Sequence, residues 1–145
     1  MLRKITNIDF DKIKDDPVRP ELDMKYRLMY GREVYAIEED EKIKAVICVA
    51  YSKIVPKKLC HLNLFAREDG NIAVFYTVWS YEKGYGRNIV FAVRDEIKNK
   101  NLRINRFVTL SPKTQMAYDF HTKNGAVLIS SNETSDNYEY ITGDL

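Results

Sequence analysis

The chain has 145 residues, a formal net charge of +2, 45% hydrophobic residues and 30% charged residues. This length predicts a single domain over residues 1–145, and the composition is that of a folded globular protein rather than a disordered or fibrous one. The near balance of 23 basic and 21 acidic residues gives no support to a nucleic-acid binder that works through bulk charge.

Cysteine usage and hydropathy predict a cytoplasmic protein without a membrane span. The two cysteines are too few for a disulfide scaffold, which favours a reducing compartment. No apolar stretch of the secretory-signal type follows the amino terminus, and the longest apolar run, residues 45–51, has the length of a strand. The cysteines and the two histidines do not follow the spacing of a zinc site, so no metal is expected.

The first half of the chain predicts a short helix followed by a meander of strands. Two prolines break any helix before residue 21, and residues 21–30 are spaced for a helix that Gly31 ends. Residues 33–37 and 42–51 form a predicted hairpin, whose acidic turn at residues 38–41 is interpreted as a solvated tip rather than a binding site. Residues 59–65 are predicted as a further strand.

The second half alternates strands and helices. Residues 72–79 are rich in β-branched and aromatic side chains and predict a strand that runs into a glycine-containing turn. A helix over residues 84–98 follows, then a strand over residues 105–110. Ser111-Pro112 is expected to open a second helix, which Asn124-Gly125 ends, and residues 126–130 and 138–142 are the last predicted strands. This order indicates a mixed α/β domain with a sheet at its centre.

The glycine-containing turn has the features of an anion-binding site. Its sequence is Tyr81-Glu82-Lys83-Gly84-Tyr85-Gly86-Arg87-Asn88. Helix N-termini present unpaired N–H groups and a partial positive charge, and glycine lets a phosphate approach the backbone without meeting a Cβ atom. Lys83 and Arg87 would add charge-assisted contacts. The same Gly-x-Gly pattern also occurs in plain tight turns, and the Gly-Lys-Ser/Thr ending of a P-loop is missing.

This turn resembles the acyl-CoA-binding motif of the GNAT family of N-acetyltransferases. In that family a strand leads to a loop of the pattern Arg/Gln-x-x-Gly-x-Gly/Ala, whose amides hold the pyrophosphate of coenzyme A. Gly84 and Gly86 match the two glycines, whereas Tyr81 stands where Arg or Gln is usual.

Residues 114–126 resemble a second GNAT motif, in which Asn opens a helix, Ala lies in its middle and Tyr precedes a Gly-Phe pair by four residues. Thr114 falls at the Asn position, Ala117 matches, and Gly125 matches the glycine. This register puts His121 at the tyrosine position, with Tyr118 one turn earlier.

The resemblance implies a GNAT-like fold with a central, splayed, mostly antiparallel sheet of roughly six or seven strands flanked by about four helices. It also implies acetyl-CoA as the cofactor, bound in the V between the strand that ends at Trp79 and the strand at residues 105–110. The residues that the resemblance assigns to the cofactor are Val78, Trp79, Glu82, Lys83, Gly84, Tyr85, Gly86, Arg87, Asn88, Thr114 and Ala117.

The activity that the resemblance implies is acetyl transfer to an amine by direct attack on the thioester. His121 is the candidate acid or base, because its unperturbed pKa lies near neutrality; the competing interpretation is a surface histidine without a catalytic role. Tyr118 is the rival acid, with packing as its alternative role. Residues 72–80 contain no carboxylate, so the general base is not identified, and His61 is a weaker candidate on the predicted strand over residues 59–65.

Four departures from the GNAT pattern keep a second hypothesis open. The usual Arg/Gln, strand Glu, helix Asn and helix Tyr are all replaced, so the chain could retain the fold as a catalytically inactive structural or interaction domain, for example one encoded by a phage. An open cleft would favour the enzyme, and a cleft filled by side chains would favour the inactive domain. The terminal strands are also available to pair across a homodimer.

Overall fold

The computed structural model describes residues 1–141, which fold into one sheet with helices on both faces. The elements in chain order are β1 (Leu2–Lys4), a 3₁₀ helix (Asn7–Lys12), α1 (Met24–Arg27), β2 (Arg32–Glu39), β3 (Lys42–Ser52), α2 (Leu59–Phe65), β4 (Ile72–Ser80), α3 (Tyr85–Lys100), β5 (Arg106–Thr109), β6 (Ser111–Pro112), α4 (Gln115–Lys123), β7 (Val127–Ser131) and β8 (Ser135–Tyr140).

The sheet is antiparallel except at its centre. Its order is β1-β2-β3-β4-β5-β8-β6, and β7 pairs with the free side of β8. Only β4 and β5 run parallel, because α3 crosses over between them. The predicted mixed α/β fold is confirmed, with eight strands and four α-helices within residues 1–141.

Each face of the sheet covers its own hydrophobic core. Ile89, Val93 and Ile97 recur every four residues along α3 and are fully or almost fully buried against one face. The opposite face packs under the 3₁₀ helix, α1 and α2, with Leu62 completely buried. Because α3 begins immediately after β4, the glycine-containing turn lies at the edge of the first core.

The prediction of a strand over residues 59–65 is wrong, since these residues form α2. Leu62 and Leu64 alternate along the sequence as residues on one face of a strand do. In the structure Leu62 packs inward and its carbonyl accepts a hydrogen bond from Nη2 of Arg32 at 3.0 Å, whereas Leu64 is 73% exposed. Period-two alternation in so short a segment therefore did not distinguish a strand from two turns of helix.

The helix expected to open at Ser111-Pro112 begins later. These two residues form β6, which pairs with β8, and α4 starts at Gln115 with Thr114 as its N-cap. Oγ1 of Thr114 accepts a hydrogen bond from the N–H of Ala117 at 3.1 Å, which satisfies one of the free donors of the first turn. The predicted end of this helix is confirmed, because Gly125 follows it with a φ of +91°.

The remaining differences are at element boundaries. The helix predicted over residues 21–30 is reduced to the four residues of α1, with Asp23 as its N-cap. The last strand, predicted over residues 138–142, is β8, which begins earlier at Ser135; Thr142 lies outside the described residues. In residues 1–141, no helix combines the length and apolar character that crossing a membrane requires.

Candidate active site

The sheet opens where β4 and β5 stop pairing. Their parallel ladder ends at Phe75 and Thr109, and the N–H of Leu110 still donates to the carbonyl of Phe75 at 3.0 Å. Tyr76 comes next in β4 and forms a bulge against β3. Arg19 spans the opening, because its Nε donates to the carbonyl of Tyr76 at 2.7 Å and its Nη2 to that of Leu110 at 2.8 Å.

An open cleft of about 500 Å³ lies beside this opening. Among the predicted site residues, Val78, Trp79, Gly86, Thr114, Ala117 and His121 line it; the other lining residues are Pro17, Val18, Phe75, Tyr76, Thr77, Ser80, Leu110, Ser111, Pro112, Met116 and Phe120. The walls are mainly apolar, with hydroxyls and one imidazole as the polar groups. A cleft of this size and character is typical of a small-molecule site.

The N-terminus of α3 meets one end of the cleft. Gly84 caps the helix with a φ of +91°, a conformation that glycine adopts without strain. Within residues 1–141, the N–H groups of Gly86 and Arg87 have no hydrogen-bond acceptor. A Cβ atom on Gly86 would lie 3.1 Å from Cε1 of Phe120, so a side chain there would fill the space beside these donors.

The charged side chains at this helix end divide into two groups. Glu82 pairs with Lys44 at 2.6 Å, and the hydroxyl of Tyr85 donates to Glu39 at 2.6 Å, so both side chains are engaged away from the helix end. Lys83 is exposed. The guanidinium of Arg87 donates to Oδ1 of Asn124 at 3.1 Å. The helix end therefore combines free backbone donors with two basic residues, although the guanidinium of Arg87 lies over the ring of Phe91, one turn further along α3. Backbone donors and basic side chains together suit a pyrophosphate.

Tyr81, the residue at the usual Arg/Gln position, anchors the loop to the N-terminal segment. Its hydroxyl donates to Oδ1 of Asp15 and accepts from Nε1 of Trp79 at 3.0 Å. Partial burial and the hydrogen bond to Asp15 raise its pKa to about 12. A neutral phenol in this position brings no positive charge to the loop, so the anion contacts depend on the backbone and on Lys83 and Arg87.

His121 is a buried residue rather than a surface histidine. The side chain lies in the wall of the cleft, and the residue is 6% exposed. Its Nδ1 lies 2.7 Å from the hydroxyl of Tyr140, and its ring stacks on Tyr138 with centroids 5.0 Å apart. Burial lowers its pKa to about 4, so the imidazole is neutral at neutral pH.

The structure does not bring Tyr118 or His61 into the cleft wall. Tyr118 is 45% exposed and packs edge-on against Tyr138. His61 lies on α2, where its Nδ1 accepts from the N–H of Lys57 at 3.1 Å. Cys60 is exposed on the same helix. The sequence-based alternatives to His121 therefore lie apart from the opening of the sheet.

The fold is shared with solved structures at low sequence identity. The loading GNATL domain of CurA from Lyngbya majuscula matches with a TM-score of 0.74 and 13% identity, covering 97% of this chain and 96% of that domain. A protein assigned to the GNAT family of acetyltransferases from Desulfovibrio desulfuricans matches with a TM-score of 0.70 and 10% identity over 99% of both chains. The chain has the GNAT fold.

Another protein with the GNAT fold was solved with acetyl coenzyme A bound. N-acetyltransferase PseH from Campylobacter jejuni matches with a TM-score of 0.61 and 11% identity over 99% of this chain and 100% of that one. A malonyl-CoA decarboxylase from Cupriavidus metallidurans is 21% identical with a TM-score of 0.62, and the match covers 84% of this chain but only 33% of the decarboxylase. No protein-family model and no curated protein matches the sequence.

A buried ionic network lies beside the cleft, and the sequence analysis did not identify it. Asp16 and Arg27 pair at 2.6 Å with side chains only 2% and 1% exposed. The hydroxyl of Thr77 on β4 donates at 2.9 Å to Oδ2 of Asp16, the oxygen that also contacts Arg27. The N–H groups of Val18 and Arg19 donate to Oδ1 at 2.7 and 3.1 Å. Asp16 is thus fully hydrogen-bonded and holds the segment that lines the cleft.

The depressed pKa of His121 predicts a specific pH dependence of folding. The unfolded chain binds this proton near the ordinary pKa of 6.5, whereas the folded chain binds it only near 4. The free energy of unfolding should therefore fall as the pH drops from 6.5 towards 4, with a contribution of roughly 3 kcal/mol from this one group. Urea denaturation at a series of pH values measures it.

The matched variant for this measurement is His121→Gln, which removes the titrating group. The difference in unfolding free energy between the wild type and this variant should change through the same pH window and level off above it. If the plots of unfolding free energy against pH for the wild type and His121→Gln were parallel, the assignment of a neutral, buried imidazole would be contradicted.

Proposed function

We propose that this protein is an acetyl-CoA-dependent N-acyltransferase that transfers an acetyl group to an amine by direct attack. The observation that supports this most is the open cleft of about 500 Å³ at the end of β4, which meets free backbone donors at the start of α3. The acetyl coenzyme A bound to PseH, which shares the fold, supports the choice of cofactor.

The residues fit a pyrophosphate and an acyl chain. The N–H groups of Gly86 and Arg87 would hold the pyrophosphate, with Lys83 and the Arg87 guanidinium adding positive charge. Thr114 and Ala117 on α4 form the facing wall. We assign the acyl end to the cleft beside Val78 and Trp79, whose backbone lies where the sheet opens. The other residues of the proposed cofactor site are Glu82, Gly84, Tyr85 and Asn88.

The catalytic proposal assigns one chemical role to each group. The cofactor would supply an activated thioester, whose carbonyl carbon would form a C–N bond with a neutral amine as its C–S bond breaks. The amine would lose one proton to solvent, and the thiolate would leave as free coenzyme A once protonated. A backbone N–H in the region of Val78 would stabilise the negative charge on the carbonyl oxygen. His121, in the wall of the cleft, would donate a hydrogen bond to the departing group. Tyr118 remains the rival acid, although its position outside the cleft wall favours His121.

Isothermal titration calorimetry with acetyl-CoA and free coenzyme A, followed by a thiol-release assay with a panel of amines, tests the proposal. We expect micromolar binding and amine-dependent thiol release. Absence of binding at high micromolar concentration would overturn the cofactor assignment. Binding without release from any amine would favour the inactive GNAT-like domain instead.

A second candidate function, decarboxylation of malonyl-CoA, is supported by the likeness to malonyl-CoA decarboxylase and by the neutral imidazole in the cleft wall. Thr77 and Ser111 also line the wall, but their hydroxyls already donate to Asp16 at 2.9 Å and to Thr109 at 2.7 Å. In this reaction the bond between the α-carbon and the carboxylate breaks, carbon dioxide leaves, and the electron pair forms an enolate that takes a proton from water. Formation of acetyl-CoA from malonyl-CoA without an amine would distinguish it from acetyl transfer.

We place either activity in the cytoplasm. Both cysteines are free, with Cys48 buried beside Arg27 and Cys60 exposed, as expected of a protein kept in a reducing compartment. Pairing across a homodimer stays a prediction, which the elution volume of the purified protein on a sizing column would test.

A further inference from the structure

Tyr140 is a buried tyrosine whose hydroxyl meets the imidazole of the cleft. It lies on β8, is 2% exposed, and packs against Phe75 and Phe91. Its hydroxyl lies 2.7 Å from Nδ1 of His121. Tyr140 was not among the residues selected from the sequence, because 19 positions and β7 separate it from His121.

The polar groups around the Tyr140 hydroxyl decide whether it donates or accepts in its hydrogen bond with His121. Asn124 makes no hydrogen bond with Tyr140 within residues 1–141, because its Oδ1 accepts from Arg87 at 3.1 Å and its Nδ2 has no partner there. Within residues 1–141, the only acceptor for the phenol proton is therefore Nδ1 of His121. A buried hydroxyl proton without an acceptor would be costly, so Tyr140 donates and Nδ1 accepts.

A neutral imidazole that accepts at Nδ1 carries its proton on Nε2. His121 lies in the cleft wall, and no atom of residues 1–141 contacts its Nε2 within hydrogen-bond distance. We propose that Tyr140 is a positioning residue that fixes His121 as an Nε2–H donor directed at the acyl group in the cleft. The catalytic consequence rests on the proposed function, whereas the tautomer itself does not.

This arrangement makes His121 a hydrogen-bond donor rather than a proton shuttle. Burial alone lowers the pKa of His121, and burial raises that of Tyr140, so both groups stay neutral over the physiological range. Among charged groups on the packed elements, Arg87 on α3 interacts electrostatically with Tyr140, and Asp119 on α4 and Asp136 on β8 interact with the neighbouring Tyr138. A neutral donor can stabilise charge that develops on the departing thiolate without itself losing a proton, and solvent then protonates the thiolate to give the thiol.

The tautomer can be measured directly because the chain has only two histidines. Long-range ¹H–¹⁵N correlation spectra of protein labelled with ¹⁵N-histidine distinguish Nε2–H from Nδ1–H, and His121→Gln assigns the signals. We expect the Nε2–H form in the wild type and a mixture of tautomers in Tyr140→Phe. The matched control is Tyr138→Phe, which keeps the ring stacked on His121 and removes a hydroxyl that has no hydrogen-bond partner.

Steady-state kinetics then distinguish a positioning role of Tyr140 from a packing role. In Tyr140→Phe, kcat should fall about tenfold with the KM for acetyl-CoA unchanged, whereas Tyr138→Phe should match the wild type in both. An Nδ1–H tautomer in the wild type, or an unchanged tautomer in Tyr140→Phe, would overturn the proposal. If the proposed function fails, turnover is absent in every variant, but the spectra still decide the tautomer.

Discussion

Reversing two charges at the start of α3 is expected to weaken coenzyme A binding by about ten- to a hundredfold. In the variant Lys83→Glu/Arg87→Glu, two cations beside the free N–H groups become anions. A hydrogen bond to a charged group contributes about 1.5–3 kcal/mol, and solvent exposure reduces this, so the loss of two such contacts corresponds to one or two powers of ten in affinity. Isothermal titration calorimetry with coenzyme A measures the change.

The fold should tolerate this pair of substitutions. Both residues are exposed, and Arg87 gives up only its contact with Asn124 and its position over the ring of Phe91. The charge-matched control is Lys53→Glu/Lys58→Glu, which replaces two exposed lysines between β3 and α2 and changes the net charge by the same amount. Equal affinities for the two double variants would show that the tip of α3 does not hold the pyrophosphate. Gly86 is a less clean target, because a Cβ there also displaces Phe120.

The strand, the glycine-containing turn and α3 could be predicted because local chemistry determines them. Residues 72–79 are β-branched or aromatic almost throughout, the φ of +91° at Gly84 suits glycine, and Ile89, Val93 and Ile97 mark one face of a helix. Each of these signals is contained within a few residues. The part of the site that consists of this turn was therefore visible in the sequence.

The rest of the site depends on contacts between distant segments. Arg19 lies among prolines and acidic residues and has the sequence context of an exposed side chain, yet it joins the carbonyls of Tyr76 and Leu110 across the opening of the sheet. The pairing of His121 with Tyr140 likewise requires α4 to pack on β8. No periodicity or spacing encodes such contacts, so the sequence located the glycine-containing turn but not the groups that shape the cleft.

The buried pair of Asp16 and Arg27 should contribute strongly to the stability of the fold beside the cleft. Removing one partner leaves the other charge buried without compensation, which costs about 3–5 kcal/mol. Asp16→Asn and Arg27→Met should therefore each lower the free energy of unfolding by about that amount, a large part of the 5–15 kcal/mol that is typical of a whole domain. Urea denaturation measures each variant.

The double variant Asp16→Asn/Arg27→Met should lose less than the sum of the two single losses, because no unpaired charge remains. The exposed pair of Arg67 and Asp69, 2.8 Å apart, provides the control, and Arg67→Met should cost no more than about 1 kcal/mol. Additive losses would mean that the two charges do not compensate each other. If the losses are less than additive, the two charges compensate each other. The network that they form also holds Thr77 and the segment around Val18 in place, so an ion pair outside the cleft wall determines the shape of the cleft.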